Sequence, residues 1–242
     1  MKIKSFAVRN AKEILRDPLT FIFGLGFPIV ILLLLTAIQA NVPVSLFELE
    51  TLTPGIAVFG LSFITLFSAT LISRDKKSAL LMRLFTTPMR ACDFILGYTL
   101  PVFPIAFAQI VLCYAVAAVL GLKITTGVVL SVLYLIPVSL FFIFLGLFFG
   151  SLFNDKQVGG ICGALLTNLT AWLSGTWFDL ELVGGAFKTI SYCFPFVHAV
   201  EAGRKIIAGS GDILVNTIVV LAYMLAAAIL SIVAFTGKMK EK

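Results

Sequence analysis

The side chains that could carry out chemistry are few, and they form no catalytic set. The only histidine is His198, and Glu201 follows it three residues later; two possible ligands do not make a catalytic zinc site. The segment Leu173-Ser174-Gly175 lacks the first glycine of the GxSxG nucleophile elbow. There is also no P-loop motif, GxxxxGK followed by Ser or Thr, to bind nucleotide phosphates. The sequence therefore predicts a chain that is not an enzyme, holds no metal and binds no cofactor of its own.

Polar side chains inside long apolar runs are the stronger functional signal. At membrane depth, hydroxyl and amide groups face the bundle interior or a cavity, because lipid offers them no hydrogen-bonding partner. Hydrogen bonding between helices is the alternative that the sequence leaves open. Such groups are Ser62, Thr65 and Ser68 in the second run, Gln109 in the third, and Thr167, Asn168, Thr170 and Ser174 in the fifth.

Ionisable residues are missing from the middle of the apolar runs. Carriers that are coupled to protons or sodium ions usually need ionisable groups at membrane depth. The sequence therefore argues against ion-coupled transport, and the energy for any transport must come from elsewhere.

These side chains belong to a chain with the composition of a membrane protein. Of its 242 residues, 60% are hydrophobic and 12% are charged, whereas soluble domains carry about 25% charged residues. The apolar runs have the length of roughly 20 residues that crosses a bilayer as a helix, and they lack the alternation of barrel strands. We therefore predict one all-α transmembrane domain over residues 1–242. Its six spans are Leu19–Ile38, Pro54–Ser73, Phe94–Leu120, Gly127–Phe149, Val158–Phe178 and Leu214–Thr236.

The distribution of lysine and arginine predicts the orientation of these spans. Fourteen of the eighteen lie before the first span, between the second and third, between the fourth and fifth, or after the sixth. The positive-inside rule makes those segments cytoplasmic, so both termini are predicted to be cytoplasmic. The four residues on the other side are Lys123, Lys188, Arg204 and Lys205.

Two of the cytoplasmic segments have the pattern of amphipathic helices. In residues 1–18, apolar and charged positions follow different helical faces, which predicts an interfacial helix at the inner membrane surface. In residues 74–92, a short helix is predicted to end near Pro88. Its apolar face consists of Leu80, Leu81, Leu84 and Phe85. That face must contact either lipid headgroups or another protein, and the spacing alone does not decide which.

The external segment 179–211 is too long for a simple turn, and much of it is too apolar for a solvated loop. Non-helical or half-spanning backbone is tolerated at membrane depth where it packs against protein or lines a cavity. We therefore predict one or two short re-entrant helices, interrupted at Pro195. A compact external cap is the alternative.

The order of these features resembles the permeases of the type-2 ABC transporter family, which are the membrane subunits of many bacterial exporters. The resemblance covers essentially the whole chain. Its motifs are Ile3–Arg16, the connection from Arg74 to Leu81, Leu84-Phe85-Thr86-Thr87-Pro88, Gly97-Tyr98, Leu173-Ser174-Gly175-Thr176-Trp177-Phe178, Phe194-Pro195-Phe196 and Glu201-Ala202-Gly203-Arg204. The family commonly has Glu-Arg and then Gly-Thr where this chain has Arg74-Asp75 and Ser78-Ala79, so the finer contacts of that connection stay open.

The resemblance implies a homodimer or heterodimer of permeases with two ATP-binding subunits, surrounded by lipid in a bacterial cytoplasmic membrane and without nucleic acid. ATP and Mg would be bound by the ATP-binding subunits. The N-terminal helix would be the connecting helix. The coupling helix, seated in a cleft of the ATPase, would contain Lys77, Leu80, Leu81, Leu84 and Phe85. The second and fifth spans would line the translocation path. Seven of the eight intramembrane polar residues above lie in these two spans, and Gln109 of the third span completes the candidate lining.

Two other readings stay open at the level of sequence. The chain could be an intramembrane enzyme, which the missing catalytic set disfavours, or a scaffold or channel that works without an ATPase. The substrate is not specified, because a path lined by hydroxyl, amide and aromatic groups suits drugs, lipids, glycolipids and peptides alike.

Overall fold

The computed structural model describes residues 2–18, 22–42, 47–78, 80–84, 86 and 89–240. These residues form helices joined by turns, with no β-strand among them. In chain order the helices are α1 (Lys2–Leu15), α2 (Ile22–Gln39), α3 (Leu49–Lys77), α4 (Leu80–Leu84), α5 (Ala91–Val119), α6 (Thr126–Leu152), α7 (155–173), α8 (Leu180–Val183), α9 (Gly185–Tyr192), α10 (Pro195–Ala208) and α11 (Leu214–Lys240). Two stretches are π-helical, Ile22–Gly26 at the start of α2 and Gly159–Leu166 within α7.

Five helices of the described chain, α2, α3, α5, α6 and α11, are long and apolar enough to cross a membrane. The prediction of an all-α membrane protein is therefore confirmed. The predicted fifth span, Val158–Phe178, corresponds to α7, which is continuous but divided into the pieces Asp155–Val158, Gly159–Leu166 and Thr167–Leu173. The count of six spans stays a prediction.

Helix α3 lies at the centre of the bundle. In its most apolar stretch 83% of the residues are buried, against 22% in α2 and in α11, and α3 packs against α2, α5, α6, α7 and α10. Glycines of α6 allow the closest approach: a Cβ added at Gly146 would lie 2.4 Å from the carbonyl oxygen of Thr65, and one at Gly150 would lie 2.6 Å from that of Ala69. Small residues bring helix backbones together in this way in membranes.

Helix α10 lies beside α6 and runs antiparallel to it. At its start the ring of Phe196 stacks on that of Phe142, with centroids 5.9 Å apart. Near its end, the carbonyl oxygen of Ile206 is 2.6 Å from where a Cβ of Gly127 would be. Helix α10 therefore extends along more than half the length of α6, and most of its residues between Pro195 and Gly203 are buried.

Candidate functional site

The last turn of α3 contains a buried carboxylate that joins three helices. Asp75 is 1% exposed. The guanidinium of Arg9 in α1 contacts both carboxylate oxygens, with Nη1 2.8 Å from Oδ2 and Nη2 2.7 Å from Oδ1. The hydroxyl of Tyr98 in α5 donates to Oδ2 at 2.7 Å. A buried charge requires such partners, and a two-pronged arginine contact also fixes orientation.

Helix α1 is held against α5 by further contacts near Gly97. The Asn10 side-chain amide donates to the carbonyl oxygen of Gly97 at 3.1 Å. The ring of Phe6 covers the same glycine, where an added Cβ would lie 2.3 Å from Phe6 Cδ1. Phe6 also packs edge-on against Tyr98, with ring centroids 4.9 Å apart. The predicted N-terminal amphipathic helix is therefore anchored to the bundle through its buried face.

Lys76 and Ser73 join the same turn of α3 to two more helices. The ammonium of Lys76 donates to the carbonyl oxygens at the end of α6, at 2.8 Å for Ser151 and 3.0 Å for Phe153. The hydroxyl of Ser73 donates to Asp155 Oδ1 of α7 at 3.3 Å. The end of α3 is thus connected to α1, α5, α6 and α7 within one turn, immediately before α4.

Helix α4 contains three of the five predicted coupling residues, Leu80, Leu81 and Leu84. Lys77, at the end of α3, is exposed, and Leu80 and Leu84 are half-buried. Leu81 is 4% exposed and belongs to the main hydrophobic core of the chain. Phe85 lies outside the described residues. Part of the apolar face is therefore covered within this chain, and contact of the remainder with an ATPase stays a prediction.

An aromatic groove of about 590 Å³ lies between α2, α3 and α7. Its rings form an edge-to-face series: Phe27 with Phe63 at 5.4 Å, Phe63 with Phe59 at 5.5 Å, and Phe59 with Trp177 at 5.5 Å. Trp172, which is 56% exposed, forms part of the lining contributed by α7. No described residue that lines the groove is charged; the lining consists of Phe27, Phe59, Phe63, Gly163, Thr167, Asn168, Ala171, Trp172, Trp177 and Phe178.

Of the eight predicted path residues, Thr167 and Asn168 line the aromatic groove. Four others donate to backbone carbonyl oxygens inside the bundle: Ser62 to Phe59 at 2.6 Å, Thr65 to Phe142 at 2.8 Å, Ser68 to Ile64 at 2.8 Å, and Gln109 to Ala57 at 3.4 Å. The last two, Thr170 and Ser174, are fully buried in α7 and at its end. A role in a path stays a prediction for all eight.

The external segment is fixed to the bundle by polar contacts. Arg204 of α10 donates to the carbonyl oxygen of Thr51 at 2.8 Å and to that of Gly175 at 2.9 Å. The imidazole of His198 lies 3.1 Å from Asn216 Oδ1 of α11 and 3.0 Å from the carbonyl oxygen of Tyr192. Both ring nitrogens of His198 thus have partners within the fold, as expected of a structural histidine.

Residues 1–208 match the family model described as ABC-2 type transporter. The match extends from α1 to the end of α10, and so includes the junction at Asp75, helix α4 and the aromatic groove. No curated protein matches the chain.

Proposed function

The chain belongs to the ABC-2 type transporter family, and we propose that it is the membrane permease of an ATP-driven exporter. As a family member it is a membrane component of transport without an ATPase site of its own. In the proposed assembly, two ATP-binding subunits bind ATP and Mg, and a second permease protomer completes the membrane part. The complex lies in a bacterial cytoplasmic membrane.

The proposed topology has six spans, with α7 as the fifth. At about 1.5 Å per residue, residues 155–173 extend about 28 Å, close to the ~30 Å hydrocarbon core. Both termini are then cytoplasmic, in agreement with the distribution of lysine and arginine. Helices α9 and α10 are re-entrant in this arrangement. Helix α10 lies beside α6 from the start of α6 to past its midpoint, and the hydroxyl of Tyr223, well inside α11, donates to the carbonyl oxygen of Cys193 at 2.5 Å.

The junction at Asp75 is the observation that best supports coupling to an ATPase. A force on α4 reaches the end of α3, to which α1 is bound through Arg9. Helices α1 and α3 should therefore move as one unit. Helix α3 is continuous over 29 residues from Leu49 to Lys77, and Phe59 and Phe63 lie on it at the aromatic groove. Motion at the coupling end would thus be carried to the groove.

The aromatic groove is proposed as one half of the translocation path. In a two-fold dimer both subunits present the same surface. Two facing grooves would leave a chamber between them, because two concave surfaces cannot fill each other. Its aromatic and uncharged lining suits lipophilic substrates, and Thr167 and Asn168 supply the polar groups that orient a ligand.

Co-purification tests the proposal. A tagged copy of the chain, extracted from its native membrane in mild detergent, should bring down an ATP-binding-cassette protein. The isolated chain should hydrolyse no ATP, and the complex in vesicles should transport only with ATP. Transport by the chain alone, driven by an ion gradient, would overturn the proposal, and so would ATP turnover by the isolated chain.

A further inference from the structure

Helix α5 contains a proline in its interior, one turn after Gly97. Proline has no N–H group, so Pro101 cannot donate to the carbonyl oxygen of Gly97, which lies four residues earlier. Gly97 and its neighbour Tyr98 are buried, and a buried carbonyl group without a donor costs free energy. Sharp bends of helices occur at prolines, and we therefore call residues 97–101 the α5 hinge.

A side chain of α1 supplies the donor that Pro101 lacks. The amide nitrogen of Asn10, a residue that is 0% exposed, donates to the carbonyl oxygen of Gly97 at 3.1 Å. Arg9 fixes the orientation of this amide, because its Nη1 donates to Asn10 Oδ1 at 2.8 Å and a guanidinium can only donate. The amide nitrogen must therefore face Gly97. A neighbouring helix satisfies a freed carbonyl group in this way in transmembrane helices that contain proline.

The Asn10 contact connects the α5 hinge to the Asp75 junction. Arg9 Nη1 donates to Asn10 Oδ1 and also to Asp75 Oδ2, at 2.8 Å in each case. Polar contacts thus run without interruption from Asp75 of α3, through Arg9 and Asn10 of α1, to the carbonyl oxygen of Gly97 in α5. The end of α3 and the α5 hinge are therefore joined through two adjacent residues of α1.

We propose that Asn10 is a positioning residue for α5: it holds the α5 hinge in shape while α1 is docked and leaves the hinge free to bend when α1 moves away. The free-energy cost of a buried carbonyl group without a donor links the shape of α5 to the position of α1. Because Arg9 orients Asn10 and is itself held by Asp75, a change at the end of α3 reaches α5 through this contact.

The second proline inside α5 provides an internal comparison. Pro104 cannot donate to the carbonyl oxygen of Leu100, but the Asn10 amide is directed at Gly97, and Leu100 is 53% exposed. The donor from α1 is therefore matched to the proline that follows Gly97 by one turn. Holding the α5 hinge requires neither an ATPase nor transport, so this role of Asn10 does not depend on the exporter proposal.

Hydrogen exchange of the full chain in phosphatidylcholine nanodiscs, read by mass spectrometry, tests this role. Asn10→Ala should raise the exchange rate of peptides covering residues 97–105 about tenfold, which corresponds to about 1.4 kcal/mol and lies in the range for a buried group that loses its partner. Peptides covering residues 131–143 of α6 should be unchanged. Arg9→Met should also speed exchange at the α5 hinge, because it removes the group that orients Asn10.

Proline replacements distinguish the hinge from a general loosening of α1. Pro101→Ala supplies the missing N–H, so adding Asn10→Ala to it should raise exchange at the α5 hinge by less than about threefold. Pro104→Ala supplies an N–H to the carbonyl of Leu100 instead, and Asn10→Ala should keep its full effect there. If Asn10→Ala alone does not fold, Pro101→Ala should rescue it and Pro104→Ala should not. Equal effects of Asn10→Ala in the two proline backgrounds would overturn the inference, as would unchanged exchange at the α5 hinge in the Asn10→Ala chain.

Discussion

The ion pair between Arg9 and Asp75 forms the centre of the Asp75 junction. Mutating Arg9 and mutating Asp75 should lower the stability of the chain by different amounts. Asp75 is 1% exposed, whereas the side chain of Arg9 is 38% exposed. Arg9→Met leaves a buried carboxylate with Tyr98 as its remaining side-chain donor among the described residues. Breaking a buried pair in this way costs about 3–5 kcal/mol, and we expect about 3 kcal/mol here because the site is partly reached by solvent. Asp75→Asn leaves an arginine that can turn to water and to Glu13, so it should cost about 1–2 kcal/mol.

The double variant separates this argument from a simple count of lost contacts. In Arg9→Met with Asp75→Asn, the uncompensated charge is gone, and Tyr98 can still donate to the asparagine oxygen. The second mutation should therefore rescue the first, with a coupling of about 2 kcal/mol between the two sites. Thermal unfolding midpoints of the full chain in nanodiscs should decrease in the order wild type, double variant, Arg9→Met.

Lys12→Met is the matched control, because it removes an exposed cation from the same helix and should melt close to the wild type. The reasoning is refuted if the double variant melts at or below Arg9→Met, or if Asp75→Asn is the more damaging single change. Either result would mean that the carboxylate is not the group whose desolvation determines the stability of the junction.

Three further predictions concern coupling, topology and packing. Leu84→Asp, at a half-buried position of α4, should leave the chain folded but lower the recovery of the ATPase in a pull-down about tenfold or more. Lys77→Ala should change this recovery little. Wild-type recovery with Leu84→Asp would contradict the coupling assignment. In a cysteine-free background, a cysteine at Leu182, which is 84% exposed, should react with an impermeant thiol reagent added outside cells, and one at Lys77 should not; the reverse pattern would invert the topology. Gly97→Ala places a Cβ 2.3 Å from Phe6 and should destabilise the chain by about 1–3 kcal/mol, measured as a lower unfolding midpoint. Gly237→Ala, whose Cβ meets no atom within 4 Å, should leave the midpoint unchanged. Equal midpoints for the two variants would show that α1 shifts freely at this contact.

Helices that follow from local pattern were predicted well from the sequence. The amphipathic spacing of residues 1–18 corresponds to α1 (Lys2–Leu15), and the short helix before Pro88 corresponds to α4 (Leu80–Leu84). Apolar runs long enough to cross a bilayer identify spans because the length requirement is set by the membrane. The π-helical stretch of α7 was not predicted, since a change from i−4 to i−5 hydrogen bonding leaves the composition unchanged.

Contacts between segments that are distant in the chain could not be predicted from the sequence. Arg9 and Asp75 are 66 positions apart, and the sequence places them in two separate cytoplasmic segments. Helical spacing predicts that Leu80, Leu81 and Leu84 share one face, but it does not show that Leu81 is covered by the chain itself. The apolar face of a helix follows from the spacing of residues within that helix, whereas the burial of that face depends on how the other helices pack against it.

The hydroxyl groups show why polarity inside a span is an ambiguous sign of a path. Serine and threonine can donate to a carbonyl oxygen one turn earlier in their own helix, as Ser62 and Ser68 do within α3. Such a residue is satisfied at any depth and needs no water-filled cavity. Aromatic side chains are also ambiguous in a sequence, because they are stable in contact with lipid, with the protein core or with a ligand. Phe27, Phe63 and Trp177 line one groove because α2, α3 and α7 pack together there. That packing is seen in the fold and could not be predicted from the spacing of the aromatic residues.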